Sequence, residues 1–232
     1  MKPVSAFCAI IGLLLLQIVC LEFHELGHHI VGRLICGCWG TRDFYNWILC
    51  GRCESKQAMM LATAAGPLMN IILCWISVLF LISSDPVKKS IGLYLLFANL
   101  PIVRWLAVSD GGGDEFVAMK YFLGNRISWY QLRVLAFAIE SVLLLPPMFV
   151  AYKNMEGRWK PLWFVLLCFI PGFFMQQMQD GLNGLLVMGI FPHKIFMQIP
   201  LLINIVFLLC LAMLWILRRQ MYLAAFFFIH IK

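Results

Sequence analysis

The sequence predicts an all-α, polytopic membrane protein with about six transmembrane helices, and three observations carry that prediction. Of its 232 residues, 62% are hydrophobic and 12% charged, and the mean hydropathy is +0.88. Apolar runs of about 20 residues, the length a helix needs to cross a bilayer, recur along the chain. No alternating pattern of the kind a barrel strand shows is visible, so the spans should be helices, which satisfy their own backbone polar groups in lipid. The formal charge of +7 does not argue for a nucleic-acid partner. The Lys and Arg residues are scattered through short connections between apolar runs, where membrane proteins carry them against the bilayer surface. No soluble domain, low-complexity tract or internal repeat is visible, so residues 1–232 read as one integral membrane domain with a core over about 4–130 and additional spans over about 131–232.

Taken in order, span one is expected from Val4 to Ile35. Its start resembles a signal peptide, but the apolar run to Leu21 is longer than an h-region and no small-x-small cleavage site follows, so it is read as uncleaved. Residues 36–57 form a polar connection. Span two covers Ala58–Ile82 and ends at the turn chemistry of Ser83-Ser84-Asp85-Pro86. Span three, Ile91–Val108, is interrupted by Asn99 and Pro101. Asp110-Gly111-Gly112-Gly113-Asp114 then breaks regular helix, because consecutive glycines disfavour it, and an amphipathic segment runs from Glu115 to Leu123. Span four is Gln131–Tyr152, with a kink expected at Pro146-Pro147. Span five runs from Pro161 to Gln179 and is expected to break at Asp180-Gly181. Leu182–Phe191 is too short to cross, and is either re-entrant or a continuation of span five. Span six is Ile195–Leu217, and the apolar tail Met221–Lys232 should lie on the membrane surface.

One stretch carries chemistry. His24-Glu25-Leu26-Gly27-His28 lies in the last third of span one. Histidines four residues apart share one helix face, so both imidazoles reach a single metal ion, and the adjoining Glu25 lies where it can act on a metal-activated water. Ionisable groups are costly in an apolar span and mark a functional site by default. His29 points elsewhere on the helix, and Glu22 is expected near the motif's surroundings, not as a ligand.

Basic residues do not orient the chain. Six spans put Arg33, Arg42, Arg52, Lys56, Arg104, Lys120, Arg126, Arg133 and Lys194 on one face, and Lys2, Lys88, Lys89, Lys153, Arg158, Lys160, Arg218, Arg219 and Lys232 on the other, a tie. Parity says more. The histidine motif and the Asp110 region lie toward the C-terminal ends of odd-numbered spans and approach the same face. Asn70 enters span two about twelve residues from that face, a depth of roughly 18 Å, similar to that of the histidines.

A hydrolytic zinc site takes a third protein ligand and keeps an open position. The oxygen donors available are Asp110, Asp114, Glu115, Glu140 and Asp180, and composition does not choose among them. Asp114 and Glu115 are also what a solvated loop and helix start would carry, whereas Glu140, among Phe137, Ala138, Ile139, Val142 and Leu143, needs a partner. Of nine cysteines, Cys8, Cys20, Cys74, Cys168 and Cys210 fall in spans and act as small apolar residues. Cys36, Cys38, Cys50 and Cys53 flank a short connection, where they either bind a second, structural metal or form disulfides.

The combination resembles the site-2 protease family of intramembrane zinc metalloproteases. The resemblance rests on three ordered motifs within roughly residues 15 to 115: His24-Glu25-Leu26-Gly27-His28, Ala65-Gly66-Pro67-Leu68-Met69-Asn70, and Asn99-Leu100-Pro101 leading to Ser109-Asp110-Gly111-Gly112. It implies zinc held by His24, His28 and Asp110, and an asparagine, Asn70, acting near the substrate. It also implies a cytosolic site, which favours reduced thiols or zinc at the four clustered cysteines. The chain departs from the family in having one residue, not two, between Asn99 and Pro101, and a longer segment from Pro101 to Asp110.

The activity so implied is hydrolysis of a membrane-embedded or membrane-proximal peptide, in a multi-pass protein of the cell membrane. Glu25 would serve as general base and then acid, and Asn70 would hydrogen-bond the substrate backbone or oxyanion. The partners expected are the lipid bilayer and a membrane-protein or membrane-bound peptide substrate, with no nucleic acid. Two rivals use the same residues: a catalytically inactive metal-binding scaffold, against which an intact Glu25 argues, and a metal-ion transporter, which predicts flux and no cleavage. Histidines are too few for the histidine-rich boxes of a di-iron oxygenase.

Overall fold

The computed structural model describes residues 3–53 and 55–229. Its helices, in chain order, are α1 (Pro3–Cys36), α2 (Lys56–Leu81), α3 (Pro86–Ala98), α4 (Pro101–Ser109), α5 (Gly113–Leu123), α6 (Trp129–Asn154), α7 (Lys160–Val187) and α8 (Leu201–Ile229). Six segments are long and apolar enough to cross a membrane: Phe7–Cys36, Lys56–Leu81, Pro86–Ser109, Trp129–Asn154, Lys160–Val187 and Leu201–Met221. The fold is the all-α, multi-pass architecture the composition predicts.

Local chemistry sets most boundaries. The Ser55 hydroxyl caps α2 by accepting from the Ala58 amide, Asp85 caps α3 with Pro86 in the first turn, and Ser128 with Gln131 forms a capping box on α6. The third span breaks where Asn99 and Pro101 predict. Leu100 between them is left-handed, with φ 51°, and this single reversed residue separates α3 from α4. Pro146 and Pro147 lie within α6.

Three expectations fail. α7 runs through Asp180-Gly181 to Val187 without a break; a glycine is tolerated in a membrane helix, and Asp180 accepts a hydrogen bond from the Tyr45 hydroxyl. The last span begins at Leu201, not Ile195, since Phe191, Met197 and Gln198 all have positive φ and turn the chain before it. That helix then continues to Ile229 in place of a separate surface tail, and residues 230–232, like Glu54, lie outside the described residues.

The connection after α1 holds a small antiparallel hairpin, β1 (Thr41–Arg42) and β2 (Trp47–Ile48), with Arg42 opposite Trp47. The Asp43 carboxylate closes its turn by accepting from the amides of Tyr45 and Asn46. Two disulfides, Cys36–Cys53 and Cys38–Cys50, bracket it. The alternatives of thiols or a second metal are thereby replaced.

The main core joins α1, α2, α3, α6 and α7 through residues such as Leu13, Cys74, Leu96, Phe97, Leu144 and Cys168. A smaller cluster of Val108, Phe116, Leu132 and Ala136 seats α5 against α4 and α6. That seat aims the start of α5 at α1.

Candidate metal centre

Helices α1 and α2 pack through small residues. A Cβ on Gly27 would sit 2.9 Å from the Ala65 carbonyl oxygen, and one on Gly66 would sit 2.7 Å from Cδ2 of the His28 ring and closer to its Nε2. Only glycine at 66 leaves room for that imidazole. This gives the Ala65-Gly66-Pro67 segment a physical role: it is the floor under His28.

The floor fixes the ring's protonation. His28 Nδ1–H donates to the Ala62 carbonyl at 2.7 Å, which leaves Nε2 carrying the ring's lone pair. Trp47 of the hairpin stacks on the other side of the ring, 4.7 Å between centroids and 14° from parallel. His24 stands edge-on to His28, and the two Nε2 atoms are 3.0 Å apart.

Asp114 completes the group. Its Oδ2 lies 3.0 Å from His24 Nε2 and 3.3 Å from His28 Nε2. A tetrahedral ion bound at about 2.0–2.1 Å holds its ligand atoms about 3.3 Å from one another. Two imidazole nitrogens and one carboxylate oxygen at these separations fit such an ion, and His24, His28 and Asp114 are able to hold a metal.

The expected ligand Asp110 is not brought to the histidines. α4 carries it past them, where its side chain is 96% exposed and 4.0 Å from Arg133. The chain reverses through Gly111 and Gly113, both with φ near +80°, a conformation suited to glycine, and delivers Asp114 in the first turn of α5. Glu140 is buried in α6 and faces Glu115 and Arg104, with Oε1 unbonded, and Asp180 stands at the hairpin. Neither joins the group.

Glu25 is buried beside it, with Oε2 lacking a hydrogen-bond partner. It lines a cavity of about 220 Å³ bounded by Asp114, Trp47, Tyr45, Asn46, Thr63 and Tyr121. A buried carboxylate with one unpartnered oxygen, in the wall of a space that can hold water, is a candidate to take a proton from that water.

Asn70 lies behind His24, its Oδ1 3.1 Å from Nδ1. Arg104 Nη2, which can only donate, lies 2.8 Å from the same nitrogen, so Nδ1 is an acceptor. With the Asn70 amide turned over, its nitrogen donates to Nδ1 and its oxygen accepts from Arg104 Nε and Nη2, each at 3.1 Å. Asn70 therefore positions a ligand. Arg104, read from sequence as interfacial, is within the site: Nη2 is 2.8 Å from His24 Nδ1 and Nη1 pairs with Glu115 at 2.8 Å. The signal for it was present, an arginine in a short apolar helix. Nothing in the sequence pointed to Trp47.

The neighbours of the motif sort as their helical positions suggest. His29 stacks on Trp39 and donates to the Met197 carbonyl at 2.6 Å, away from the metal group. Glu22 is paired with the buried Arg42, tying the hairpin to α1. Comparison with known protein families, with curated proteins and with solved structures finds no match to this chain.

Proposed function

We propose that the protein is an intramembrane zinc metalloprotease, of the kind the site-2 protease family represents, with His24, His28 and Asp114 as ligands. The observation that carries this reading is Glu25: a buried carboxylate with one unpartnered oxygen, lining a cavity that Asp114 also bounds. A scaffold or transporter needs the ligands but has no use for a free base beside them.

Zinc held there supplies a Lewis acid that brings the pKa of a water toward neutrality and polarises a carbonyl. Glu25 takes the proton from the attacking water and returns it to the leaving amine, as base and then acid. Ala62 holds the His28 imidazole in the tautomer that presents Nε2, and Asn70 and Arg104 fix the ring of His24 from its Nδ1 side. The cavity between the hairpin and α5 admits a chain segment whose helix has unwound, since a regular helix hides its peptide carbonyls. The substrate class is a membrane-embedded or membrane-proximal peptide, and the multi-pass chain acts from within its bilayer, proposed to be the cell membrane.

The test is Glu25→Gln in proteoliposomes containing a single-span reporter helix. Bound zinc should stay at the wild-type level while cleavage, followed by mass spectrometry, falls by about 10²–10⁴-fold, the range for losing a general base. Undiminished cleavage would sink the mechanism, and zinc flux without cleavage would replace it with transport.

A further inference from the structure

The four clustered cysteines have no part in the reaction just described, yet they brace the element that covers it. Cys38–Cys50 lies nested inside Cys36–Cys53, with Cα separations of 6.1 and 5.3 Å. Between them is a hairpin whose strands are two residues each. So short a ribbon is not stable in isolation. Its tip nevertheless does three things at the site: Trp47 lies flat on His28, Arg42 opposite it is paired with Glu22, and Tyr45, Asn46 and Trp47 wall the cavity that Glu25 lines.

We propose that the nested disulfides are a redox clamp that holds Trp47 against His28, so that the metal site is complete only when it faces an oxidising compartment. The proposal rests on the metal-site reading above and adds a positioning residue, Trp47, and a condition on its placement. Disulfides persist on the extracytosolic side of membranes and not in the cytosol. Basic residues, nine on each face, do not decide between the two orientations, so the orientation rests on the disulfides. The clamp places the site opposite to the cytosolic position that the family resemblance implies.

Opening the clamp with a water-soluble phosphine is balanced: each S–S bond takes two electrons from phosphorus and two protons from water, whose oxygen leaves as phosphine oxide, and two thiols result. The experiment uses the full chain purified without reductant. Alkylation by a maleimide after denaturation should label five cysteines, and nine after phosphine; nine without phosphine would overturn the clamp. Cobalt(II) serves as the metal probe, its visible absorption reporting ligand geometry. Phosphine should change that spectrum and weaken cobalt binding by about 10–100-fold, the usual effect of disturbing the surroundings of a ligating histidine. Trp47→Ala, with its disulfides intact by the alkylation count, should reproduce the reduced spectrum, and Trp47→Phe should restore the oxidised one. Identical spectra and affinities in oxidised and reduced protein would overturn the clamp alone. Absence of cobalt binding in the oxidised protein would overturn the metal site, and the clamp's purpose with it.

Discussion

Two regions of this protein are made of equally apolar helices and yet differ in what their residues must do. Around the site, α1, α2 and α5 meet through glycine, alanine and buried polar groups. By contrast, α7 and α8 present most of their surface outward: 17% of each span's most apolar stretch is buried, against 39% for α1 and for α2. Helices gain nothing in lipid from hiding leucine, so close contact through small residues appears where a geometry must be held. Tolerance to substitution should therefore divide the molecule along this line.

The largest contrast is between two aspartates four residues apart. Asp114→Ala should abolish stoichiometric zinc binding, measured by elemental analysis, while Asp110→Ala should leave it unchanged. Retention in the first with loss in the second would return the third ligand to Asp110. Next comes one substitution made in both regions. Gly66→Ala drives a methyl into the His28 ring and should lose zinc, with an overpacking cost of about 1–3 kcal/mol. Gly184→Ala in α7 meets nothing within 4 Å and should change neither zinc content nor thermal stability for the worse. Equal effects would erase the division. Asn70→Ala should weaken zinc by about 10–100-fold without removing it, since it orients a ligand and is not one. Smallest is Tyr45→Phe, which removes the hydrogen bond to Asp180 at an exposed position. Its cost should not exceed about 1 kcal/mol in a thermal-shift measurement.

Much of this was legible in the sequence because its signals are local. Span lengths, the break at Asn99 and Pro101, and the shared face of His24 and His28 follow from runs and spacings of a few residues. The third ligand was not legible, since the choice between Asp110 and Asp114 depends on how far α4 extends before Gly111 and Gly113 turn the chain back. The hairpin escaped because a two-residue strand has no periodicity to read, and four cysteines allow three pairings that spacing cannot separate. Asp180-Gly181 misled in the other direction: turn chemistry that ends a helix in water did not end one here, where Tyr45 satisfies the acid.

The length of α1 carries a last consequence. Its 34 residues measure about 51 Å along the axis, while a hydrocarbon core of about 30 Å is crossed by about 20 residues. About 20 Å of helix must be taken up by tilt or by projection into the headgroups. His24 and His28 ride on that same rod, so the depth of the metal group beneath the membrane surface follows bilayer thickness, and a thicker or thinner membrane moves it relative to anything embedded beside it.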